Sequence, residues 1–297
     1  MKIVECILNF SEGKNKKVID DIVNEIKKVK NVSLLDVESD KDHNRSVVTF
    51  IGEPEDVKKA VFFATAKAAK LIDMNKHKGE HPRMGATDVI PFVPISDITM
   101  KECVGLAKEL GKEIGDKLKI PVYLYAEAAT RPDRVRLPDI RKGEYEGLKE
   151  EIKTNPDRKP DFGPSQLSSA GATTVGARPP LIAFNVNLNT NDLQVANDIA
   201  KLIRESSGGF KVVQAKGFEI KERGLVQVSM NLLDYNVTSI FKVFDTIKEE
   251  AKKRGVEIVG SEVIGLIPMD ALIDVAEHYL KIENFKKDQI LEKRLSE

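Results

Sequence analysis

The sequence is poor in cysteine, in net charge and in long apolar runs. Its two cysteines, Cys6 and Cys103, predict neither a disulfide framework nor a paired-cysteine metal site. The 47 basic residues equal the 47 acidic residues, which argues against binding of nucleic acid by the chain as a whole but not against a local basic patch. No apolar run approaches a membrane span, and the first residues lack a signal-peptide pattern. We therefore expect a cytoplasmic protein with no nucleic-acid or membrane partner.

Apolar periodicity divides the chain into two halves with the same order of elements. Residues 2–94 show the pattern strand, helix, strand, strand, helix, strand, and the pattern returns from residue 181 onward. This is the ferredoxin-like order βαββαβ. A helix that starts at the capping-box pair Thr99 and Glu102 and the strand PVYLYA follow the first copy. We predict an α+β fold with subdomains over residues 1–180 and 181–297.

The helices of each half are amphipathic and cover only one face of the predicted sheet. The other face must also be buried. We predict that the two sheets face each other with the helices outside, which makes a cleft between them the default ligand site.

The segment 154–180 between the halves is rich in proline, glycine and small polar residues and has no periodicity. This composition is typical of a linker, yet a structureless stretch of this length inside a compact protein is uncommon unless it is functional. Its glycines would leave backbone N–H groups accessible to a ligand. These glycines are Gly163, Gly171 and Gly176.

The segment 77–94, HKGEHPRMGATDVIPFVP, concentrates reactive side chains. His81 precedes Pro82, which disfavours helical backbone at the histidine. An imidazole is suited to proton transfer near neutral pH. From spacing alone, a solvated loop histidine remains the favoured alternative.

Two charged clusters can each be interpreted either as solvated surface or as a functional site. Residues 131–142 hold four arginines and a lysine, which suit carboxylate or phosphate binding but are also balanced by Asp133 and Asp139. The acidic stretch 36–42 is typical of a solvated hairpin, and we predict no metal site there. Its Glu38 follows a strand and could project a carboxylate inward.

Longer motifs resemble those of the glutamate formimidoyltransferase family, whose formiminotransferase domain also occurs in formimidoyltransferase-cyclodeaminases. They span nearly the whole chain in order: VECILNFSEGKN, IDMNKHKGEHPRMGATDVIPFVP, PVYLYAEAA, IRKGEYEGL, PDFGPSQLSSAGATTVGAR, LIAFNVNL, VQVSMNLLDY and GSEVIGLIP. The resemblance implies transfer of a formimino group from N-formimino-L-glutamate to N5 of tetrahydrofolate during histidine degradation, with tetrahydrofolate as co-substrate and no metal. It also implies two subdomains and a homodimer. The remaining length leaves no room for a cyclodeaminase domain, so ammonia release is expected from another protein.

The resemblance also implies roles for particular residues. The histidine of the GEHPRMGA motif, here His81, is expected to be catalytic. The folate segment is shorter by one residue than in the mammalian bifunctional enzymes and lacks their bulky aromatic residue. Its expected folate-binding residues are Gly163, Pro164, Ser165, Gln166, Leu167, Ser168, Ser169, Ala170 and Gly171. Apart from the resemblance, the substrate-binding candidates are hypotheses from the sequence itself: Glu38, Asn44, Arg45, Arg83 and Arg178.

The chemistry sets further expectations. One histidine could take the N5 proton and return it to the departing nitrogen if its pKa stays near neutral, and activity should then fall at acid pH. Glu38, Glu80 or Asp88 could orient its ring. Two alternatives stay open: transfer of a formyl instead of a formimino group, and a folate-binding protein without turnover.

Overall fold

The computed structural model describes residues 1–295 and has a mixed α+β fold, as predicted from the sequence. The chain divides into two compact units, Met1–Pro179 and Pro180–Glu297. Each unit has its own sheet and its own apolar core. Across the described part of the chain, no helix is both long enough and apolar enough to cross a membrane.

The first unit contains a βαββαβ core that is extended by further strands and helices. Its sheet has the order β2-β3-β1-β4-β6-β5. The first four strands in that order pair antiparallel, whereas β6 lies between β4 and β5 and is parallel to both. Its elements are β1 (Ile3–Phe10), α1 (Lys16–Lys27), β2 (Val32–Asp40), β3 (Arg45–Gly52), α2 (Pro54–Leu71), β4 (Thr87–Ser96), α3 (Met100–Glu113), β5 (Val122–Ala126), α4 (Leu137–Ile140), α5 (Glu144–Glu151) and β6 (Thr173–Ala177).

The second unit repeats the βαββαβ order in a four-stranded antiparallel sheet, β10-β7-β9-β8. The ferredoxin-like topology predicted for both halves is therefore confirmed. The elements of this unit are β7 (Ile182–Leu188), α6 (Leu193–Ile203), β8 (Val213–Ile220), β9 (Leu225–Leu232), α7 (Ile240–Lys253), β10 (Ile258–Ile264), α8 (Met269–Leu280) and α9 (Leu291–Leu295).

Local sequence signals set the starts of the helices. Asn15 accepts hydrogen bonds from two backbone N–H groups in the first turn of α1, and the predicted capping box of Thr99 and Glu102 starts α3. The apolar positions of α1 are buried against the sheet, in keeping with their helical spacing. Helix α7 is preceded by Ser239. The hydroxyl of the residue before it, Thr238, donates to the Lys211 carbonyl.

Two strand predictions also need correction. The segment 154–180 is not structureless throughout, because it contains β6, which is buried along its whole length. Its sequence, TTVGA, lacks the large apolar residues by which strands are recognised. In addition, β2 continues through Asp40, so the loop before β3 shrinks to a tight turn over residues 41–44.

We expect Gly176→Ala to destabilise the first unit by about 1–3 kcal/mol, because overpacking a filled core has this cost. A Cβ at Gly176 would lie 2.5 Å from both the ring and the carbonyl oxygen of Tyr125. The matched control is Gly105→Ala in α3, where a Cβ meets nothing within 4 Å. It should stabilise the unit by roughly 0.5–1 kcal/mol. Urea unfolding followed by tyrosine fluorescence measures both, and equal midpoints for the two variants would contradict this account of β6.

Candidate functional site

Three loops of the first unit are tied together at Asn44, a buried residue with positive φ (48°) in the turn between β2 and β3. Its Oδ1 accepts from the Gly13 N–H at 2.9 Å, and its Nδ2 donates to the Lys78 carbonyl at 2.9 Å. Its own carbonyl oxygen lies 2.9 Å from Nε2 of His77. Asn44 therefore joins the turn after β1, the β2–β3 turn and the loop that carries His81.

His77 and Arg83 hold the loop between α2 and β4. The Arg83 Nε donates to the His77 Nδ1 at 3.3 Å, so the His77 Nε2 carries the proton that goes to Asn44. Burial and the Arg83 charge lower the pKa of His77, in keeping with a neutral ring. Arg83 itself is buried and forms ion pairs with Glu144 at 2.7 Å and Glu146 at 2.6 Å. Its guanidinium is therefore occupied by carboxylates of the same chain.

His81 lies half-buried in the same loop, at a small pocket. The ring centroids of His81 and His43 are 6.2 Å apart in an edge-to-face arrangement. The pocket is lined by Phe10, Ser11, His43, Asn44, Arg45, His77, His81, Arg83 and Asp88. The pocket thus brings histidines, arginines and the carboxylate of Asp88 to one place.

The surroundings of His81 disfavour its protonated form. Burial, followed by the charges of Arg45, Arg141 and His43, lowers the pKa of His81 to about 3, and a hydrogen bond with the Pro82 backbone opposes this only weakly. The sequence-based expectation of a near-neutral pKa is therefore wrong for the free protein. With this pKa, the His81 ring is neutral over the whole physiological pH range.

Two arginines near His81 differ from Arg83 in their partners. Arg45 donates through Nε to the neutral Oδ1 of Asn9 at 2.9 Å, and burial lowers the pKa of Arg45 to about 10. Arg141 pairs with Asp88, whose other oxygen accepts the Met84 N–H at 2.8 Å. Both carboxylate oxygens of Asp88 are therefore bonded, one to Arg141 and the other to the Met84 N–H.

The arginine cluster 131–142 is mostly structural. Arg134 is buried and pairs with Asp161 at 2.7 Å, and Arg131 pairs with Asp133 and Asp157 on the surface. Arg141 is the member of this cluster whose charge acts on His81. The sequence pattern identified the cluster but could not single out this residue.

The remaining substrate candidates lie on strands or directly after them. Glu38 is exposed on β2 opposite Val47, and its charge acts on Arg45. Arg178 follows β6, donates to the Pro179 carbonyl at 3.0 Å and acts on the half-buried Glu5, whose pKa is raised by burial. No hydrogen bond within residues 1–295 links either residue to His81.

The predicted folate segment 163–171 runs beside the His81 loop. The Ala86 N–H donates to the Ala170 carbonyl at 2.8 Å, and the Ala172 N–H donates to the Met84 carbonyl at 3.0 Å. These contacts follow from the sheet, because β4 and β6 are parallel neighbours and the two segments lead into them. Ser165, Gln166, Ser168 and Ser169 are exposed along the segment.

The glycines of this segment serve the packing of the chain itself. Gly171 has a φ of 71°, and a Cβ there would lie 2.3 Å from the Met84 carbonyl oxygen. Gly163 has a φ of 82°, and its Cβ would lie 2.4 Å from the Ile120 carbonyl oxygen. The sequence had suggested that these glycines leave room for a ligand. In the structure, they instead leave room for neighbouring backbone to approach closely.

Both cysteines are buried, and burial raises the pKa of the Cys103 thiol to about 11. In the described residues, histidine, cysteine, aspartate and glutamate side chains do not gather in groups of three or more that could hold a metal ion.

The chain matches two family models that together cover almost all of it. The model described as "Formiminotransferase domain, N-terminal subdomain" matches residues 3–178, and the model described as "Formiminotransferase domain" matches residues 183–294. A glutamate formimidoyltransferase of Streptococcus pyogenes serotype M1 is 51% identical over 296 residues, with 99% of each chain covered. One of Thermoplasma acidophilum is 48% identical, with 99% of this chain and 98% of that one covered. The formimidoyltransferase-cyclodeaminase of Mus musculus is 47% identical over 94% of this chain and 52% of that one.

In the unliganded protein, we expect the His81 ring to remain neutral and not to titrate between about pH 5 and pH 8. Arg45→Gln should raise its pKa, because the substitution removes a positive charge that disfavours the imidazolium. NMR titration of ¹⁵N-labelled histidines measures this. Arg136→Gln is the control, since Arg136 is exposed and is not among the charges that act on His81. A wild-type His81 that titrates near pH 6.5 would contradict the electrostatic account.

Proposed function

Because the chain belongs to the formiminotransferase family, we propose that it is a glutamate formimidoyltransferase. It transfers the formimino group of N-formimino-L-glutamate to N5 of tetrahydrofolate and yields 5-formimidoyltetrahydrofolate and L-glutamate, a step of histidine degradation. The observation that carries the proposal is the end-to-end match to two glutamate formimidoyltransferases at 51% and 48% identity. We assign its subdomains to residues 1–180 and 181–297, and we propose that it acts in the cytoplasm as a homodimer.

We assign the proton transfer to His81. N5 of tetrahydrofolate attacks the amidine carbon of the donor, and a tetrahedral intermediate forms. His81 accepts the proton from N5 and then gives it to the glutamate nitrogen as the bond between that nitrogen and the former amidine carbon breaks. No net proton is gained or lost, so one residue serves both steps. The position of His81 beside an arginine-rich pocket supports this role.

The low pKa of His81 changes the expected pH dependence. The pH profile of kcat/KM reports groups of the free enzyme, and His81 remains in its accepting form down to about pH 3. A loss of activity between about pH 5 and pH 7 would therefore come from another group, in contrast to the expectation drawn from the sequence.

We propose that folate binds along residues 163–171. This is supported by the position of the segment beside the His81 loop and by its exposed polar side chains. Of the substrate candidates, Arg45 has the most direct role, since its guanidinium lines the pocket and is held by a neutral amide. Asn44 and Arg83 act by holding the loops in place. Glu38 and Arg178 remain candidates for contacts to the glutamyl part of the substrates.

Replacement of His81 by alanine should lower kcat and kcat/KM together by roughly 10²–10⁴-fold, because the proton transfer is lost in the transition state. Tetrahydrofolate affinity, measured by calorimetry, should change little. His278→Ala is the matched control, since this histidine is exposed on α8. The assay compares N-formimino-L-glutamate with N-formyl-L-glutamate. Turnover with the formyl donor alone, or with neither donor, would replace the proposed function by one of the two alternatives, and normal turnover in His81→Ala would exclude His81 from the chemistry.

The double variant Ser165→Ala, Gln166→Ala should weaken tetrahydrofolate binding by roughly 2- to 10-fold for each hydrogen bond that is lost. The fold should persist, because both side chains are exposed. Gly171→Val should instead lower the thermal midpoint, since its clash is with the chain's own backbone. Calorimetry and thermal unfolding distinguish the two effects. Wild-type affinity in the double variant would place folate elsewhere.

A further inference from the structure

The guanidinium group of Arg141 has an N–H donor that lacks an acceptor among the described residues. Its side chain is 13% exposed and pairs with Asp88, the acceptor found for it within residues 1–295. Its Nε–H is shielded from solvent and has no acceptor in that part of the chain. A guanidinium offers five N–H donors, and buried donors are nearly always paired. At least one buried donor of Arg141 thus has no acceptor in the described part of the chain.

Arg45 adds a second positive charge beside the first. Its guanidinium is bonded to Asn9, a neutral acceptor, and the Arg141 charge lowers its pKa further. The pKa of Arg45 is raised, in the opposite direction, by the negative charges of Asp88, Asp40 and Glu38. Asp40 is exposed and contacts His43 at 3.1 Å, and Glu38 is exposed on β2. Asp88 is therefore the buried carboxylate among these three, and it pairs with Arg141 while its charge also acts on Arg45. Two guanidinium groups thus face one buried carboxylate, which leaves an excess of positive charge.

We propose that Arg141, together with Arg45, binds the α-carboxylate of N-formimino-L-glutamate. This inference rests on the proposed function and names the group that recognises its donor. Planar guanidinium groups match carboxylates in shape and charge. The α-carboxylate is attached to the same carbon as the reacting nitrogen, so the group that holds it must lie close to the proton-transfer residue. Arg45 and Arg141 meet this requirement, because Arg45 lines the same pocket as His81 and Arg141 pairs with Asp88, which lines this pocket too.

Binding of the carboxylate has a consequence for His81. The charges that act on its ring are those of Arg45, Arg141 and His43, and all of them disfavour protonation. A bound carboxylate offsets part of this charge, so the ring holds a proton more readily. Binding of the donor thereby raises the pKa of His81, so that the ring can both accept and return the proton. In the unliganded protein the ring stays neutral.

The first test measures binding without turnover. L-Glutamate, the product, should raise the His81 pKa in an NMR titration, and 4-aminobutyrate, which has the same chain but no α-carboxylate, should leave it unchanged. Removing Arg141 alone would leave Asp88 buried without its cation, so the test variant is Asp88→Asn, Arg141→Gln, which keeps polar partners and removes both charges. Arg45→Gln is the second variant if the first fails to fold. Both variants should lose the response to L-glutamate, and Arg136→Gln should retain it.

The second test is kinetic. Wild-type kcat/KM should favour N-formimino-L-glutamate over N-formimino-4-aminobutyrate by about 10- to 100-fold, the value of a charged hydrogen bond. The Asp88→Asn, Arg141→Gln variant should lose this preference while the KM for tetrahydrofolate stays unchanged. A variant that keeps the preference, or that binds L-glutamate like the wild type, overturns the inference. A wild-type protein without formimino transfer defeats the proposed function instead, and the L-glutamate titration still decides the role of Arg141.

Discussion

The candidate site depends on one buried amide in left-handed backbone. Asn44 has both a donor and an acceptor on a short side chain, and asparagine adopts positive φ more readily than most residues. It therefore turns the chain from β2 into β3 and bonds to two other loops in the same step. Those loops approach so closely that a Cβ at Gly13 would lie 2.0 Å from the Asp40 carbonyl oxygen, and one at Gly79 would lie 2.3 Å from that of His43. His81 is positioned by this junction.

The arginines of the first unit fall into two groups according to their partners. Arg83 and Arg134 are buried among carboxylates and backbone carbonyls, which satisfy their charge and make them structural. By contrast, Arg45 bonds to the neutral amide of Asn9, and Arg141 bonds to the single carboxylate of Asp88. Buried charge of one sign costs free energy unless a partner offsets it. The fold tolerates this cost next to His81, the place where an anionic substrate would offset it.

The order of strands in the first sheet explains why the predicted folate segment lies beside the loop that carries His81. Strands β4 and β6 are parallel neighbours, with Val89 opposite Thr174. The loop that precedes β4 carries His81, and the segment that precedes β6 carries residues 163–171. Because parallel strands start at the same edge, both segments meet there and pair through Gly85 and Gly171. Two stretches that are far apart in sequence thus form one surface.

The sequence alone determined the βαββαβ order of both units, because amphipathic periodicity and helix caps are local properties of the chain. It also indicated His81 as the catalytic candidate, because Pro82 disfavours helical backbone at this residue and the surrounding motif resembles that of a known family. It did not reveal β6, since the small residues of TTVGA owe their strand conformation to the neighbours β4 and β5. Nor could it distinguish Arg141 from Arg83, because their partners lie 53 and up to 63 residues away in the chain. The charge state of His81 was likewise decided by the tertiary structure, because burial and the charges of Arg45 and Arg141 lower its pKa.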